Sequence, residues 1–575
     1  MVKLLRFLKP YSALVAATFL LVFLQAVAEL YLPTLMSDIV DVGVVNGDTG
    51  YILRVGGWML LVALGGAVVA VLASYCSSRV AMGMGRDLRQ AVFRHAQGFS
   101  LHEFDRLGTA TLITRTTNDI LQVPNLIIVG LRMMLFAPMM GIGSVVMALS
   151  KDRTLSLIIV VALPVLGAAV GAAAVKAIPM FQAMQKKIDR LNRVVREGLT
   201  GIRVIRAFNR TDYEQERFVD ANRDLTETAI RVNRLMGTLM PTLMLIMNLT
   251  AIAVVWFGGL RIDAGRMEVG DLMAFIQYVM HIMFSTMMLS MMFIMLPRAS
   301  ASAARINEVL ELQPSVTDPP EPYSPGTVRG EVEFRNVTYR YPGAERPALE
   351  GISFRARPGE VTAIIGGTGA GKTTLVNLIP RFYDVQEGAV LVDGVDVRQW
   401  RLRDLRAGIG YVPQRAMLFS GTIAANIRFG NEDASDEEVA RAAAIAQAEG
   451  FIAEMKDGYD TAIAQGGTNV SGGQKQRLTI ARALVRKPAI YIFDDNFSAL
   501  DFKTDARLRA ALKPETARST VILVAQRVST VMDADRIIVL DQGRVAGIGT
   551  HRELLQSCEV YREIVASQLA EEELA

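Results

Sequence analysis

The sequence predicts two joined fold classes, an all-α membrane domain of six helices followed by an α/β cytosolic domain, and three observations carry that prediction. The mean hydropathy is +0.30 and hydrophobic residues make up 51% of the chain, above the usual share for soluble domains. Six uncharged stretches lie near residues 11–28, 55–78, 133–150, 155–175, 235–260 and 272–297; crossing the hydrocarbon core takes about 20 apolar residues in a helix. After residue 330 the pattern changes to short apolar strands alternating with helical stretches, beginning at VEFRNVTYRY, which is the pattern of an α/β domain.

The N-terminus, MVKLLRFLKPYSALVAATFLLVFL, starts like a signal peptide, but its apolar run is too long and no small-residue cleavage site follows. It reads as a short cytosolic segment and a first span. A bilayer offers no partner to free backbone groups, so the six stretches are expected to be helical; the last contains one titratable residue, His281. The intervals 79–132 and 176–234 are charged yet keep helical periodicity, as in KKIDRLNRVVREGL, so the spanning helices should run on as rods. Lys3, Arg6, Lys9 and the basic residues of both intervals place the N-terminus and the long loops in the cytosol. Arg261 and Arg266, on the outer side, run against that bias. Six spans return the C-terminal half to the cytosol, so the chain reads as a multi-pass protein of the cytoplasmic membrane.

The proline-rich connector LQPSVTDPPEPYSPGTVRG ends the membrane part, because clustered proline cannot continue a helix. The expected division is 1–311 membrane domain, 312–330 linker and 331–575 nucleotide-binding domain. A net charge of +4 is too small to argue for nucleic acid, and the basic excess belongs on cytosolic loops. Two cysteines, Cys76 and Cys558, exclude a disulfide framework and a cysteine-based zinc site.

The strongest motif is GGTGAGKTT: Gly366, Gly367, Thr368, Gly369, Ala370, Gly371, Lys372, Thr373 and Thr374. It follows the apolar run VTAIIG and precedes TLVNLIP, the strand-to-helix context that a P-loop requires. Glycines let successive N–H groups turn inward around phosphates, and a helix N-terminus adds partial positive charge. Lys372 would reach the β- and γ-phosphates of ATP, and Thr373 would offer a hydroxyl to Mg²⁺. The apolar run IYIFDD ends in Asp494 and Asp495, where a parallel strand delivers an acid beside the P-loop; Asp494 is the candidate Mg²⁺ carboxylate.

Between these motifs lies NVSGGQKQRLTIARAL, in which Ser471, Gly472, Gly473 and Gln474 resemble the signature of ATP-binding-cassette (ABC) proteins. Tyr341 in TYRYPG is similar to that family's adenine-stacking aromatic, Gln414 in YVPQRAMLF to its Q-loop glutamine, and SALD, Ser498 to Asp501, to its D-loop. The segments 101–120 and 201–218 resemble the coupling segments of the exporter branch. The resemblance implies an ATP-hydrolysing translocase in which two cassettes sandwich two ATP molecules. Thr373, Gln414 and Asp494 would contact Mg²⁺, and Ser471, Gly473 and Asp501 would serve the catalytic site across the dimer.

Departures from that pattern bear on mechanism. Asp495 stands where the family carries a water-polarising glutamate, and a displacement of about 1 Å can lower a rate roughly a hundredfold. Gln526, in VILVAQRVST, stands in place of the switch histidine and cannot carry an imidazole's proton. Gln465 replaces a common glutamate before the signature, and Val470 a common leucine. An impaired hydrolytic half beside a good signature points to a heterodimer whose other subunit has Glu and His at these positions. A slow homodimer and an ATP-gated channel or regulator are the alternatives.

The methionines of spans 3, 5 and 6 (Met133, Met134, Met139, Met140, Met240, Met244, Met247, Met280, Met283, Met287, Met288, Met291 and Met292) suit either an adaptable cavity for apolar or amphipathic compounds or plain lipid-facing and packing surface. Glu29, Arg132, Asn248, Gln277 and His281 are polar groups in or near spans and candidates for cavity lining. His551 in GTHREL reads as structural.

Overall fold

The computed structural model describes residues 2–498 and 500–568, without the side chains at 2, 290–295 and 297. The side chains of Met291 and Met292, and Ala499, of the motifs above therefore lie outside the described residues. The chain divides into two compact units, Met1–Gln97 with Thr109–Leu312, and Gly98–Gly108 with Gln313–Ala575.

The first unit is built from helices Lys3–Val44, Thr49–Gln97, Thr109–Lys151, Leu157–Thr200, Thr211–Asp263 and Val269–Glu311. The fifth, of 53 residues, rises about 80 Å, more than twice the hydrocarbon thickness of roughly 30 Å. The charged intervals are thus helical continuations, as their periodicity predicts. Two π-helical segments occur, Ile39–Val44 ending the first helix and Arg115–Asp119 interrupting the third.

Polar pins tie these helices near both ends. Buried Asp119 accepts from Ser302 Oγ at 3.0 Å and pairs with Arg305, while Arg115 meets Glu308 at 2.8 Å. At the opposite ends, Lys151 Nζ donates to Asp271 at 2.6 Å and to Ser37 Oγ at 3.2 Å. Asp152, also buried, accepts from the Thr154 and Leu155 amides at 2.8 Å and pairs with Arg261. That pair accounts for the basic residue that runs against the charge bias expected from the sequence: Arg261 answers a buried carboxylate. Between these pins lies an apolar core that includes Leu166, Leu243, Phe275, Tyr278 and Met283. Met140 and Met283 are buried, whereas Met134, Met240 and Met244 are exposed.

The second unit carries strands β1 Val332–Tyr339, β2 Leu349–Ala356, β3 Val361–Gly366, β4 Glu387–Val392, β5 Val395–Asp396, β6 Ile409–Val412, β7 Gly421–Thr422, β8 Ala462–Ile463, β9 Ile490–Asp494, β10 Thr520–Val524, β11 Arg536–Asp541 and β12 Arg544–Gly549. The central sheet has the order β12-β11-β3-β10-β9-β6 and is parallel except at β12. Both β9 and β10 are buried throughout, which is why their sequences read as unbroken apolar runs rather than alternating ones. A smaller antiparallel sheet, β2-β1-β4-β5, flanks it.

The helix Leu101–Leu107 belongs to this unit. Its Ser100–Glu103 capping box fixes its start. Glu103 also accepts the Ser315 amide at 3.1 Å, and Tyr383 donates to Asp105 at 3.3 Å.

Candidate functional site

The site grows from the C-terminal edge of the central sheet. After β3 the chain turns through Gly369 and Gly371, at φ +81° and +95°. A Cβ at Gly371 would lie 2.8 Å from the Ala348 carbonyl, so the turn tolerates only glycine there. The helix Lys372–Leu378 follows. Lys372 folds back, its Nζ donating to the carbonyls of Gly366 and Gly367 at 2.8 Å. Burial pushes the ammonium's pKa down, against the pull of Asp495 and Asp494.

Asp494 ends β9 and reaches the loop even though β10 stands between β9 and β3. Its Oδ1 accepts from Thr373 Oγ1 at 3.1 Å. Burial lifts its pKa to about 6, and the neighbouring Asp495 charge adds to the rise, while Thr373, Tyr411 and Lys372 oppose it. A hydroxyl and a carboxylate meeting beside the loop are hard oxygen donors of the kind Mg²⁺ prefers, so the residues present fit that ion.

Asp495 lies one residue past β9 in a left-handed conformation, φ +50°, its amide bonded to the Val524 carbonyl at 3.0 Å. Its Oδ2 accepts from two amides, Gln414 Nε2 at 3.1 Å and Gln526 Nε2 at 2.7 Å. Sheet order explains the arrangement. Each glutamine lies two residues past a strand, Gln414 after β6 and Gln526 after β10, and β9 runs between those two strands.

A cavity of about 300 Å³ unites Tyr341, Thr368, Gly369, Ala370, Gly371, Lys372, Thr373, Thr374, Gln414, Asp494, Asp495 and Gln526. Tyr341 is positioned by its hydroxyl, 3.0 Å from Thr374 Oγ1. The signature residues are absent from that lining. Ser471 instead caps the helix Gly472–Val485: its Oγ accepts the Gln474 amide, and Gln474 Oε1 accepts the Ser471 amide at 2.9 Å. Asp501 similarly caps Phe502–Glu515, bonding the Thr504 amide at 3.0 Å. His551 bonds the Tyr561 hydroxyl at 2.7 Å, a packing contact.

Two contributors carried no sequence signal. Buried Gln476 donates to the Gln414 carbonyl at 3.3 Å and so positions that loop. Tyr411 Oη donates to Asn377 at 2.9 Å behind Asp494. Gln476 stands inside the signature stretch NVSGGQKQRLTIARAL and Tyr411 opens YVPQRAMLF, yet neither is singled out by its type; the fold brings them to the site.

Among the membrane-span candidates, Glu29 accepts from Gln25 at 3.1 Å and Arg132 donates to Ser74 Oγ at 3.5 Å. Asn248 and Gln277 are exposed and His281 is half-buried.

Comparison with known proteins places both units. Residues 15–287 match the model of the ABC transporter transmembrane region, and residues 349–498 match that of the ABC transporter. An uncharacterised ABC transporter ATP-binding protein of Mycobacterium tuberculosis is 45% identical, over 98% of this chain and 97% of its own. An ATP-dependent lipid A-core flippase of Pseudomonas fluorescens is 33% identical, over 89% and 85% respectively. The structure of a bacterial Atm1-family ABC exporter with ATP bound superposes with a TM-score of 0.81 at 29% identity, covering 97% of this chain and 99% of that one. With six membrane-spanning helices and an ATP-binding cassette on one polypeptide, the chain belongs to the ABC transporter family, as a multi-pass, ATP-hydrolysing half-transporter of the exporter type.

Proposed function

We propose that this chain is the degenerate-site half of a heterodimeric exporter that moves hydrophobic or amphipathic compounds outward across the cytoplasmic membrane. Its N-terminus and its ATP-binding domain lie in the cytosol, with residues 1–311 forming the membrane domain, 312–330 the linker and 331–575 the cassette. The observation that carries the reading is the double amide bond to Asp495, from Gln414 and Gln526. A general base must be free to accept a proton from water within hydrogen-bond reach. Here one carboxylate oxygen already accepts two donors, on a side chain one methylene short of glutamate. Gln526, being neutral, has no proton to relay.

The remaining residues suit tight ATP holding. Tyr341 would stack on the adenine, and the amides of Gly366 to Thr374 would surround the phosphates. Lys372 would exchange its two carbonyl partners for the β- and γ-phosphates. Thr373, Asp494 and Gln414 would hold Mg²⁺, which when bound neutralises phosphate charge. Ser471, Gly472, Gly473 and Gln474, outside this chain's own cavity, would close over the ATP of a partner half bearing Glu and His at the altered positions, with Asp501 alongside. Helices Leu101–Leu107 and Ile202–Ala207 are the proposed coupling elements. The flippase among the relatives supports an amphipathic cargo.

The test is ATP turnover by the full chain purified without any partner. Slow turnover is expected, and the double variant Asp495→Glu/Gln526→His should raise it by about 10- to 100-fold. Brisk turnover by the unaltered chain alone would refute the heterodimer.

A further inference from the structure

We infer that a cavity among the first, third and sixth spanning helices binds the head of an anionic amphiphile, with Arg132 as its anchor. The inference rests on the exporter reading and narrows its cargo to a charge class. The cavity, of about 240 Å³, is lined by Val22, Gln25, Val129, Arg132, Phe136 and Met288 among others.

Depth comes from the helix itself. Lys151 ends the third helix on the outer side, and Arg132 lies roughly 28 Å of helix rise further in, close to the full hydrocarbon thickness of about 30 Å. The cation therefore stands at the level of inner-leaflet headgroups but faces an interior cavity.

Arg132 also lacks the carboxylate partner that two cations at the opposite ends of these helices have. Lys151 faces Asp271 and Arg261 faces Asp152. Among the described residues, Arg132 has no carboxylate at ion-pair distance, and its bond to Ser74 is long at 3.5 Å. A guanidinium has five donors in a planar fork that matches carboxylate or phosphate oxygens. An ionisable side chain that faces the interior of a helix bundle in or near a span ordinarily has a partner or a function. The apolar wall of Val22, Val129, Phe136 and Met288 suits the first carbons of a tail. Glu29, one turn further out and bonded to Gln25, repels an anion and holds the head at the Arg132 level.

The experiment is equilibrium binding to the full chain in zwitterionic nanodiscs, using dodecyl phosphate, dodecanol, dodecyltrimethylammonium and inorganic phosphate. Dodecyl phosphate should bind about tenfold or more tighter than dodecanol, the scale of a charge-assisted hydrogen bond. Arg132→Gln should bring dodecyl phosphate to the dodecanol level while leaving dodecanol unchanged, and Arg132→Lys should retain part of the preference. Equal binding of the charged and neutral probes, or preference for the cation, overturns the inference. So does inorganic phosphate binding as well as dodecyl phosphate, which marks a soluble-anion site. Loss of dodecanol binding in both variants makes Arg132 a packing residue and overturns it too. ATP-driven movement of the same probes in proteoliposomes holding this chain together with its partner half separates the two levels. If no probe moves, the reading of an exporter of amphipathic compounds fails; if probes move without anion preference, only this inference does.

Discussion

At the scale of single residues, the ATP site sets burial against charge. Asp494 has a pKa of about 6, above the usual aspartate value near 3.9, so the folded state holds the proton more firmly than the unfolded one. The stabilisation is fully present below about pH 4 and is lost as pH rises through about 6. Without nucleotide, the nucleotide-binding unit should lose stability across that window. Asp494→Asn should flatten the slope and raise stability at pH 7 by at most about 3 kcal/mol, while weakening Mg²⁺-dependent ATP binding. Thermal melts of both proteins between pH 4 and 7 check this, and an unchanged slope in the variant would assign the effect elsewhere.

At the scale of elements, the signature serine has two separable duties. It caps the helix Gly472–Val485, so Ser471→Ala should cost about 1 kcal/mol. Aspartate is an equally good cap, so Ser471→Asp should keep the melting temperature. On the proposed pairing it would also set a negative charge against the partner's ATP, abolishing nucleotide-dependent association. Melts and size-exclusion of the two variants with the partner half read the duties separately. The P-loop was legible in sequence because its glycines, lysine and flanking apolar run are all local. Strand order was not. Buried parallel strands such as IYIFD and TVILV are both simply apolar, and nothing within either says that β10 inserts between β3 and β9. That order brings Gln414 and Gln526 onto Asp495, so the residue substitutions were visible while their mutual bonding was not. The outer arginine Arg261 was misleading for the same reason, since its partner Asp152 lies on a different helix.

At the scale of the whole chain, each unit has its own core. Asp152 serves only the membrane unit, accepting two amides and facing Arg261. Asp152→Ala leaves half-buried Arg261 without its carboxylate and the Thr154 and Leu155 amides without their acceptor, a change that costs about 1–3 kcal/mol. The membrane unit's thermal transition should fall, whereas the ATP-induced shift of the nucleotide-binding unit should stay; calorimetry of the detergent-solubilised chain resolves the two. The segment Gly98–Gly108 also has a consequence in time. Ser100 bonds Ser315, 215 residues later, and a ribosome adding about 5–20 residues per second needs roughly 10–40 s to cover that distance. During that interval the short helix has left the ribosome without its binding surface, while four further spans enter the bilayer. The nucleotide-binding unit is thus begun before most of the membrane unit exists and finished after it, and a truncated nascent chain ending before residue 313 would carry a docking element with nothing to receive it.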